Sequence, residues 1–384
     1  MGLQEIEQAL ARADVEELET LLTEDSAAAK ASIAGLVPLL YLLRRSTGTG
    51  ADVRECARLL LDAGADPNSF THEDEDEWGG WDFYAVRSAV DRDDVALIRL
   101  LIERGAERDD DALYHACERA NNAMLDALWK PGAEDYVKHK LDFEDIEGLR
   151  WFLERGADVN KNCCLHHAIA RGRGLDIISL LLDAGADVNQ PWDYWDVGRR
   201  PLALAARSGH LAAYELLEAR GATADLDAAD AAVLAVARGE SVDLPTAPPP
   251  ALGNPENADY GWILGQFALL DRVEIVQALL DAGWDVDTRG WSNFTPLDQA
   301  AMHGRRATVQ LLIDRGASLT DRAWEGGGPT PLDCAIWGLK NNRAHDGDYV
   351  GVVEALASAG APTQHEPPSG DPAVDEVLKR YGVW

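Results

Sequence analysis

The decapeptide LLLDAGADVN at residues 180–189 recurs in altered form along most of the chain. Its copies include LLLDAGADPN at 59–68, WFLERGADVN at 151–160 and LLIDRGASLT at 311–320. Such self-similarity is typical of proteins built from stacked repeats, not from one large core. The copies share one glycine position, occupied by Gly64, Gly105, Gly132, Gly156, Gly185, Gly221, Gly283, Gly316 and Gly360.

Each copy predicts the end of a helix followed by a turn. Leu180, Leu181 and Leu182 supply the apolar end of an amphipathic helix. Gly185 suits the left-handed conformation that closes a helix, because it has no Cβ atom to clash with the backbone. The Asp and Asn residues that follow can bond nearby backbone groups, which favours a turn.

A second phrase predicts where a helix begins. Its clearest forms are FTPLDQAAMHG at 294–304, PTPLDCAIWG at 329–338 and RRPLALAARSGH at 199–210. Thr295 can cap the helix, and the proline that follows suits the first turn, where no amide donor is needed. The small residues after it let neighbouring helices approach closely.

The two coupled phrases resemble the ankyrin repeat, with its T-P-L-H-x-A signature and its period of about 33 residues. The signature histidine is kept at His166, whereas Asp298 and Asp333 take its place elsewhere. The resemblance implies an all-α solenoid of stacked helix–turn–helix units with β-hairpin finger loops, about ten to eleven units with the caps. It also implies that fingers and inner helices bind another protein.

A proline-rich stretch, LPTAPPPALGNPENADYG, interrupts the repeats at 244–261. Proline cannot continue a helix, so we predict a surface loop or a stiff kink there. The predicted parts are an N-terminal stack at 1–243 with a cap at 1–31, the loop at 244–257, and a C-terminal stack at 258–384 with a closing helix at 371–384.

The chain of 384 residues has 67 acidic and 35 basic side chains, a formal charge of -32. This charge disfavours nucleic acid and anionic membranes and would attract a basic protein. The alternative is that the acidic, Lys-poor composition reflects a GC-rich genome or a salt-loving host. The N-terminal stretch lacks the basic start and the apolar segment expected of a signal peptide, and the longest apolar run is too short to span a bilayer. Its five cysteines form no C-x-x-C pair, which argues against a disulfide framework. We expect a monomeric, cytoplasmic protein without cofactors.

The turns carry the irregular sequence, such as SFTHEDEDEWGGWDFYAV at 69–86 and QPWDYWDVGRR at 190–200. Exposed aromatic rings on rigid turns offer a large contact area at small entropic cost. The alternative is that each ring folds back and seals the edge of the core. The predicted partner-binding residues are Trp78, Trp81, Trp192, Tyr194, Trp195, Trp291, Phe294 and Trp324.

Two clusters could suggest chemistry, but the repeat explains them better. The run HEDEDE at 72–77 lacks the spacing of a calcium loop, so a solvated acidic loop is favoured. Cys163, His166 and His167 could suggest a metal site or a nucleophile, yet each has a place at a helix start in the repeat. The sequence contains no P-loop, dinucleotide fingerprint, H-E-x-x-H or G-x-S-x-G motif. We therefore predict a protein that is not an enzyme.

Three functions are compatible with these observations. The first is a scaffold that binds a partner protein through acidic, Trp-bearing fingers and inner helices. The second is an immunity or antitoxin protein that neutralises a basic toxin, a role in which similar solenoids occur in bacteria. The third is a small-ligand binder or an enzyme with a site in the irregular loops near 69–86 or 244–261.

Overall fold

Helices dominate the parts of the chain that the structure describes, and the β-strands there form one hairpin. The computed structural model describes residues 3–73, 81–193, 198–240, 261–289, 293–320, 327–340 and 346–384. The chain divides into two compact units, Met1–Tyr136 and Val137–Trp384. Within each unit, short helices joined by tight turns form pairs, and neighbouring pairs pack against one another.

The first unit consists of four helix pairs, a hairpin and two 3-10 helices in its described part. The hairpin lies in the long finger predicted at 69–86, where Phe70 pairs with Tyr84 and Glu73 with Trp81 in an antiparallel register. The elements are α1 (Leu3–Arg12), α2 (Val15–Glu24), the 3-10 helix Ser26–Lys30, α3 (Pro38–Arg45), α4 (Gly50–Asp62), β1 (Phe70–Glu73), β2 (Trp81–Tyr84), α5 (Ala85–Asp91), α6 (Val95–Glu103), α7 (Asp110–Cys117), α8 (Asn122–Leu128) and the 3-10 helix Ala133–Tyr136.

The second unit continues the same arrangement and ends with a single closing helix, α22. The loop predicted at 244–257 lies outside the described residues, and α15, which precedes it, packs against α13 and α17. The helices are α9 (Val137–Lys140), α10 (Ile146–Glu154), α11 (Cys164–Ala170), α12 (Leu175–Asp183), α13 (Pro201–Arg207), α14 (Leu211–Ala219), α15 (Ala228–Ala237), α16 (Gly261–Leu269), α17 (Val273–Asp281), α18 (Pro296–Met302), α19 (Arg306–Asp314), α20 (Pro331–Lys340), α21 (Tyr349–Ser358) and α22 (Pro372–Arg380).

The glycines of the repeated phrase close helices, as the sequence predicts. All nine have φ between +84° and +98°, and eight of them come two residues after the last residue of a helix. At the end of α12, the amides of Gly185 and Ala186 donate to the carbonyls of Leu182 and Leu181, each at 3.0 Å. The left-handed glycine thus satisfies carbonyls that the helix leaves free.

An asparagine in the turn after this glycine links one repeat to the next. The Asn160 amide donates to the carbonyl of Gly185 at 2.9 Å, and its oxygen accepts from the amide of Asp187 at 2.8 Å. Asn68 makes the same two bonds to Gly105 and Glu107. These asparagine side chains therefore link successive fingers by hydrogen bonds, as backbone hydrogen bonds link the strands of a sheet.

The aspartates that replace the signature histidine cap their own helices and also reach the next repeat. The Asp333 carboxylate accepts from the Thr330 amide at 2.9 Å, and the Thr330 hydroxyl accepts from the Asp333 amide at 3.2 Å. The other oxygen of Asp333 accepts from the amide of Gln364 at 2.9 Å. A reciprocal capping box and a bond between repeats are thus combined in one residue.

The retained histidine, His166, bonds to the next repeat. Its Nε2 donates to the carbonyl of Arg199 at 3.1 Å, and its ring stacks on Trp192 with 5.4 Å between the centroids. Burial, opposed by the bond to Arg199, lowers the pKa of His166 to about 4. The neutral imidazole is therefore the form that the fold holds.

A buried ion-pair cluster links α13 to α15. Asp230 accepts from Arg199 at 2.8 Å and from Arg207 at 2.5 Å, and Arg207 also contacts Asp227 at 2.5 Å. The side chains of Arg199 and Asp230 are each only 2% exposed. Because each charge faces an opposite one, burial does not leave it uncompensated.

Replacing Gly185 with Val should destabilise the fold by about 1–2 kcal/mol, because a branched side chain disfavours left-handed backbone. The φ of Gly185 is +93°, and a Cβ atom there would meet nothing within 4 Å, so the cost comes from the backbone conformation and not from a clash. Gly185→Asn is the matched control, since Asn tolerates this conformation better. Equal urea-unfolding curves for both variants would contradict the assignment of Gly185 to a strained helix end.

Acid should weaken the fold partly through His166. Its folded pKa of about 4 lies below the ordinary 6.5, so its contribution is complete above pH 6.5 and is lost as the pH falls towards 4. The expected loss for this group is about 3 kcal/mol. Urea unfolding of the wild type and of His166→Gln at pH 7 and pH 4.5 measures it. The same decrease in both proteins would show that His166 does not contribute.

Candidate interaction surface

Two positions of α18, the first or inner helix of its pair, lie at the partly exposed edge of that helix. In α18, Gln299 and Met302 are half-buried, whereas Leu297, Ala300 and Ala301 between and before them are buried. Gln299 and Met302 lie two and five residues after the leucine of the signature. We call these two positions of every inner helix its inner-face positions.

A tryptophan occupies the second inner-face position of α20. Trp337 lies five residues after Leu332, as Met302 lies five residues after Leu297. Its side chain is 45% exposed, while its neighbour Ile336 is fully buried. A large aromatic side chain is therefore presented to solvent from a helix that the rest of the stack holds in place.

The first unit exposes aromatic side chains on its finger and on one helix. Phe70 in β1 is 52% exposed and lies 5.3 Å from the Tyr84 ring across the hairpin. The guanidinium of Arg44 lies over the ring of Phe83 at 4.8 Å, which ties the finger to α3. Tyr114 on α7 is 42% exposed. Phe70 and Tyr114 are thus exposed aromatic side chains of the first unit.

The predicted finger residues fall into different surroundings. Trp192 is 4% exposed, and its ring is stacked on His166. Phe294 is half-buried and packs against the core of the second unit. Trp81 lies in β2, opposite Glu73. The remaining predicted residues, Trp78, Tyr194, Trp195, Trp291 and Trp324, lie outside the described part of the chain.

Phe70, Tyr114 and Trp337 were not among the predicted residues, which were sought in turns. For Trp337, a signal was available in the repeat itself. Aligning PTPLDCAIWG with FTPLDQAAMHG places Trp337 opposite Met302, at a position where a core residue is not required. Bulky residues at inner-face positions are therefore better candidates than turn aromatics chosen by residue type alone.

Each of the residues that could suggest catalysis or metal binding contacts a different residue of the chain. The Cys163 thiol contacts Asp193 at 3.3 Å, His166 contacts Arg199, and His167 contacts Asp142 at 2.9 Å. Burial and the bond to Asp193 raise the pKa of the Cys163 thiol, which disfavours the nucleophilic thiolate. Within the described residues, no group of three or more His, Cys, Asp or Glu side chains is placed to hold a metal ion.

The helices also bear on how the chain could meet a membrane. No helix among the described residues combines the length and the apolar character needed to cross a bilayer.

Comparison with known families agrees with this architecture. A profile of ankyrin repeats in three copies matches residues 83–191 and 137–230, and a profile of ankyrin repeats in many copies matches residues 266–313. Together the matches cover slightly more than half of the chain. No curated protein matches it. Short paired helices, left-handed glycines at their ends and both profile matches show that the chain belongs to the ankyrin-repeat family.

Proposed function

We propose that this protein is a scaffold that binds a partner protein through exposed aromatic side chains. Ankyrin repeats generally mediate protein–protein interactions. The observation that carries the proposal is Trp337, a large side chain left 45% exposed at an inner-face position of α20. Trp is the residue type most enriched among side chains that dominate binding energy at interfaces. The proposed role requires no catalytic group.

The proposed contacts in the first unit are Phe70 on the finger and Tyr114 on α7. Both are exposed and held by packed elements, so ordering them on binding costs little conformational entropy. The finger residues Trp78, Trp81, Tyr194, Trp195, Trp291, Phe294 and Trp324 remain part of the proposal. Trp192 is left out, because His166 covers its ring in this conformation.

The formal charge of -32 supports a basic partner. Charges of one sign spread over a surface accelerate encounter with an oppositely charged protein and disfavour acidic competitors. A basic toxin neutralised by an immunity protein is one such partner, and it shares the same charge argument.

Trp337→Ala should weaken binding of the partner at least about tenfold, as loss of an interface hot spot does. The partner is identified by affinity capture on the wild-type protein and mass spectrometry, and its affinity for each variant is then measured by titration. The matched control is Leu175→Ala, which truncates a similarly exposed side chain (41%) at the start of an outer helix. Equal affinities of wild type and Trp337→Ala would refute the role of α20.

The basic character of the partner is tested separately. We expect its association rate to fall steeply as salt is raised from about 0.05 to 0.5 M, because screening removes the long-range attraction. Stopped-flow association over this range measures the effect. A rate independent of salt would show that the charge does not select the partner.

A further inference from the structure

The hairpin of the first unit has a strand edge that its own chain does not cover. Within the described residues, β1 and β2 pair only with each other. The turn of the next repeat, at 104–109, forms no strand, and Asn68 bonds to that turn just before β1 begins. An uncovered strand edge is a template on which another extended chain can add.

The hydrogen-bond ladder determines which backbone groups of β1 point outwards. The Ala85 amide donates to the Ser69 carbonyl at 3.0 Å, and this pair continues the register of Phe70 with Tyr84. In an antiparallel pair of strands, opposed residues alternate between bonded and non-bonded pairs. Phe70 and Tyr84 are therefore a non-bonded pair, and the N–H and C=O groups of Phe70 point away from β2.

The outer edges of the two strands differ in what they offer. Tyr84 is the residue before α5, and its carbonyl accepts a hydrogen bond from the Ser88 hydroxyl at 3.3 Å. The N–H and C=O of Phe70 make no such bond within the described residues. The Phe70 side chain is also 52% exposed. The outer edge of β1 is therefore the one whose backbone groups are available.

The hairpin is held in place through its opposite face. Phe83 lies on that face, and the Arg44 guanidinium lies over its ring at 4.8 Å. Phe70 and the ion pair of His72 with Asp82 share the other face, where the side chains of His72 and Asp82 are 53% and 43% exposed. A strand added along β1 would extend this exposed face and bring every second side chain next to Phe70 or His72.

The charge of the finger indicates which kind of strand can add. The sequence HEDEDE at 72–77 leads on from β1, and Asp82 lies opposite His72. A second copy of this chain would bring the same acidic run alongside, and like charges on adjacent strands are destabilising. Charged residues on edge strands prevent self-association in this way. A basic segment meets the opposite charge instead, so it is favoured over another copy.

We propose that β1 binds an extended, basic segment of the partner as a third strand, along its outer edge at Phe70. This inference rests on the proposed function, because it names the kind of segment that the partner brings to the finger. Main-chain hydrogen bonds to Phe70 supply the affinity, and an apolar side chain beside the Phe70 ring supplies selectivity. The contact proposed at Trp337 is not involved.

The edge is tested on the full chain with a short acetylated peptide of alternating Val and Lys, so that no captured partner is needed. The wild type should bind this peptide with a Kd of about 1 mM or tighter. Phe70→Pro should weaken binding at least about tenfold, because proline removes the outward N–H and leaves the inward bonds to β2 intact. Phe70→Val is the matched control. It loses the same ring but keeps the N–H, and it should weaken binding less than about threefold.

Amide hydrogen exchange of Thr71, whose N–H points towards β2, shows whether the hairpin persists in Phe70→Pro. If it does not persist, the test is the same peptide with methylated backbone nitrogens, which should bind the wild type at least about tenfold more weakly. No binding by the wild type, equal weakening in Phe70→Pro and Phe70→Val, or unchanged binding of the methylated peptide would overturn strand addition.

The charge of the added strand is tested by a peptide of alternating Val and Glu. Equal affinity for the Glu and Lys peptides would refute the basic segment. Dimerisation of the wild type that Phe70→Pro abolishes would identify a second copy as the occupant instead. All of these outcomes are read without the partner. Failure to capture a partner, or equal partner affinities of wild type and Trp337→Ala, would count against the proposed function and not against the edge.

Discussion

Side-by-side packing of short helices is the constraint on which the rest of this structure depends. Helices such as α11, α13 and α18 have seven residues each, and isolated helices of that length do not persist in water. Each buries its leucine and small residues only because another pair covers them. Each turn must therefore direct the chain so that the next helix packs against the preceding pair. This requirement explains why a left-handed glycine recurs after nearly every second helix.

The polar groups of the turns also depend on the neighbouring repeat. A turn that packs against its neighbour loses contact with water, so its backbone groups need hydrogen-bond partners within the protein. The carbonyl of Gly185 and the amide of Asp187 are matched by one asparagine, Asn160. Asp333 serves its own helix start and the next finger at once. In both cases one side chain satisfies groups from two repeats, so the polar bonds specify the register while the apolar contacts supply most of the stability.

Much of the fold could be predicted from local signals. The glycine phrase marks the ends of helices, since left-handed backbone is a property of one residue, and the Thr-Pro phrase marks their beginnings for a similar reason. The position of Trp192 could not be predicted, because its burial depends on His166 from the preceding helix. The contact of Gln266 with Ala170 could not be predicted either. It joins residues 96 positions apart, and no repeated phrase in the sequence specifies it. Local chemistry determines the units, whereas only coordinates show which faces stay open.

The second inner-face position differs in exposure from helix to helix along the second unit. Its occupants are Ala170 in α11, Arg207 in α13, Leu269 in α16, Met302 in α18 and Trp337 in α20. The occupants in α11 and α13 are buried, Ala170 with its carbonyl bonded to Gln266 and Arg207 paired with Asp230 and Asp227. Where the face is open, the side chains are large and apolar. A tryptophan at the position of Ala170 would meet Gln266 of α16, whereas Trp337 stands 45% exposed. The same repeat position is therefore buried in internal packing in α11 and exposed in α20.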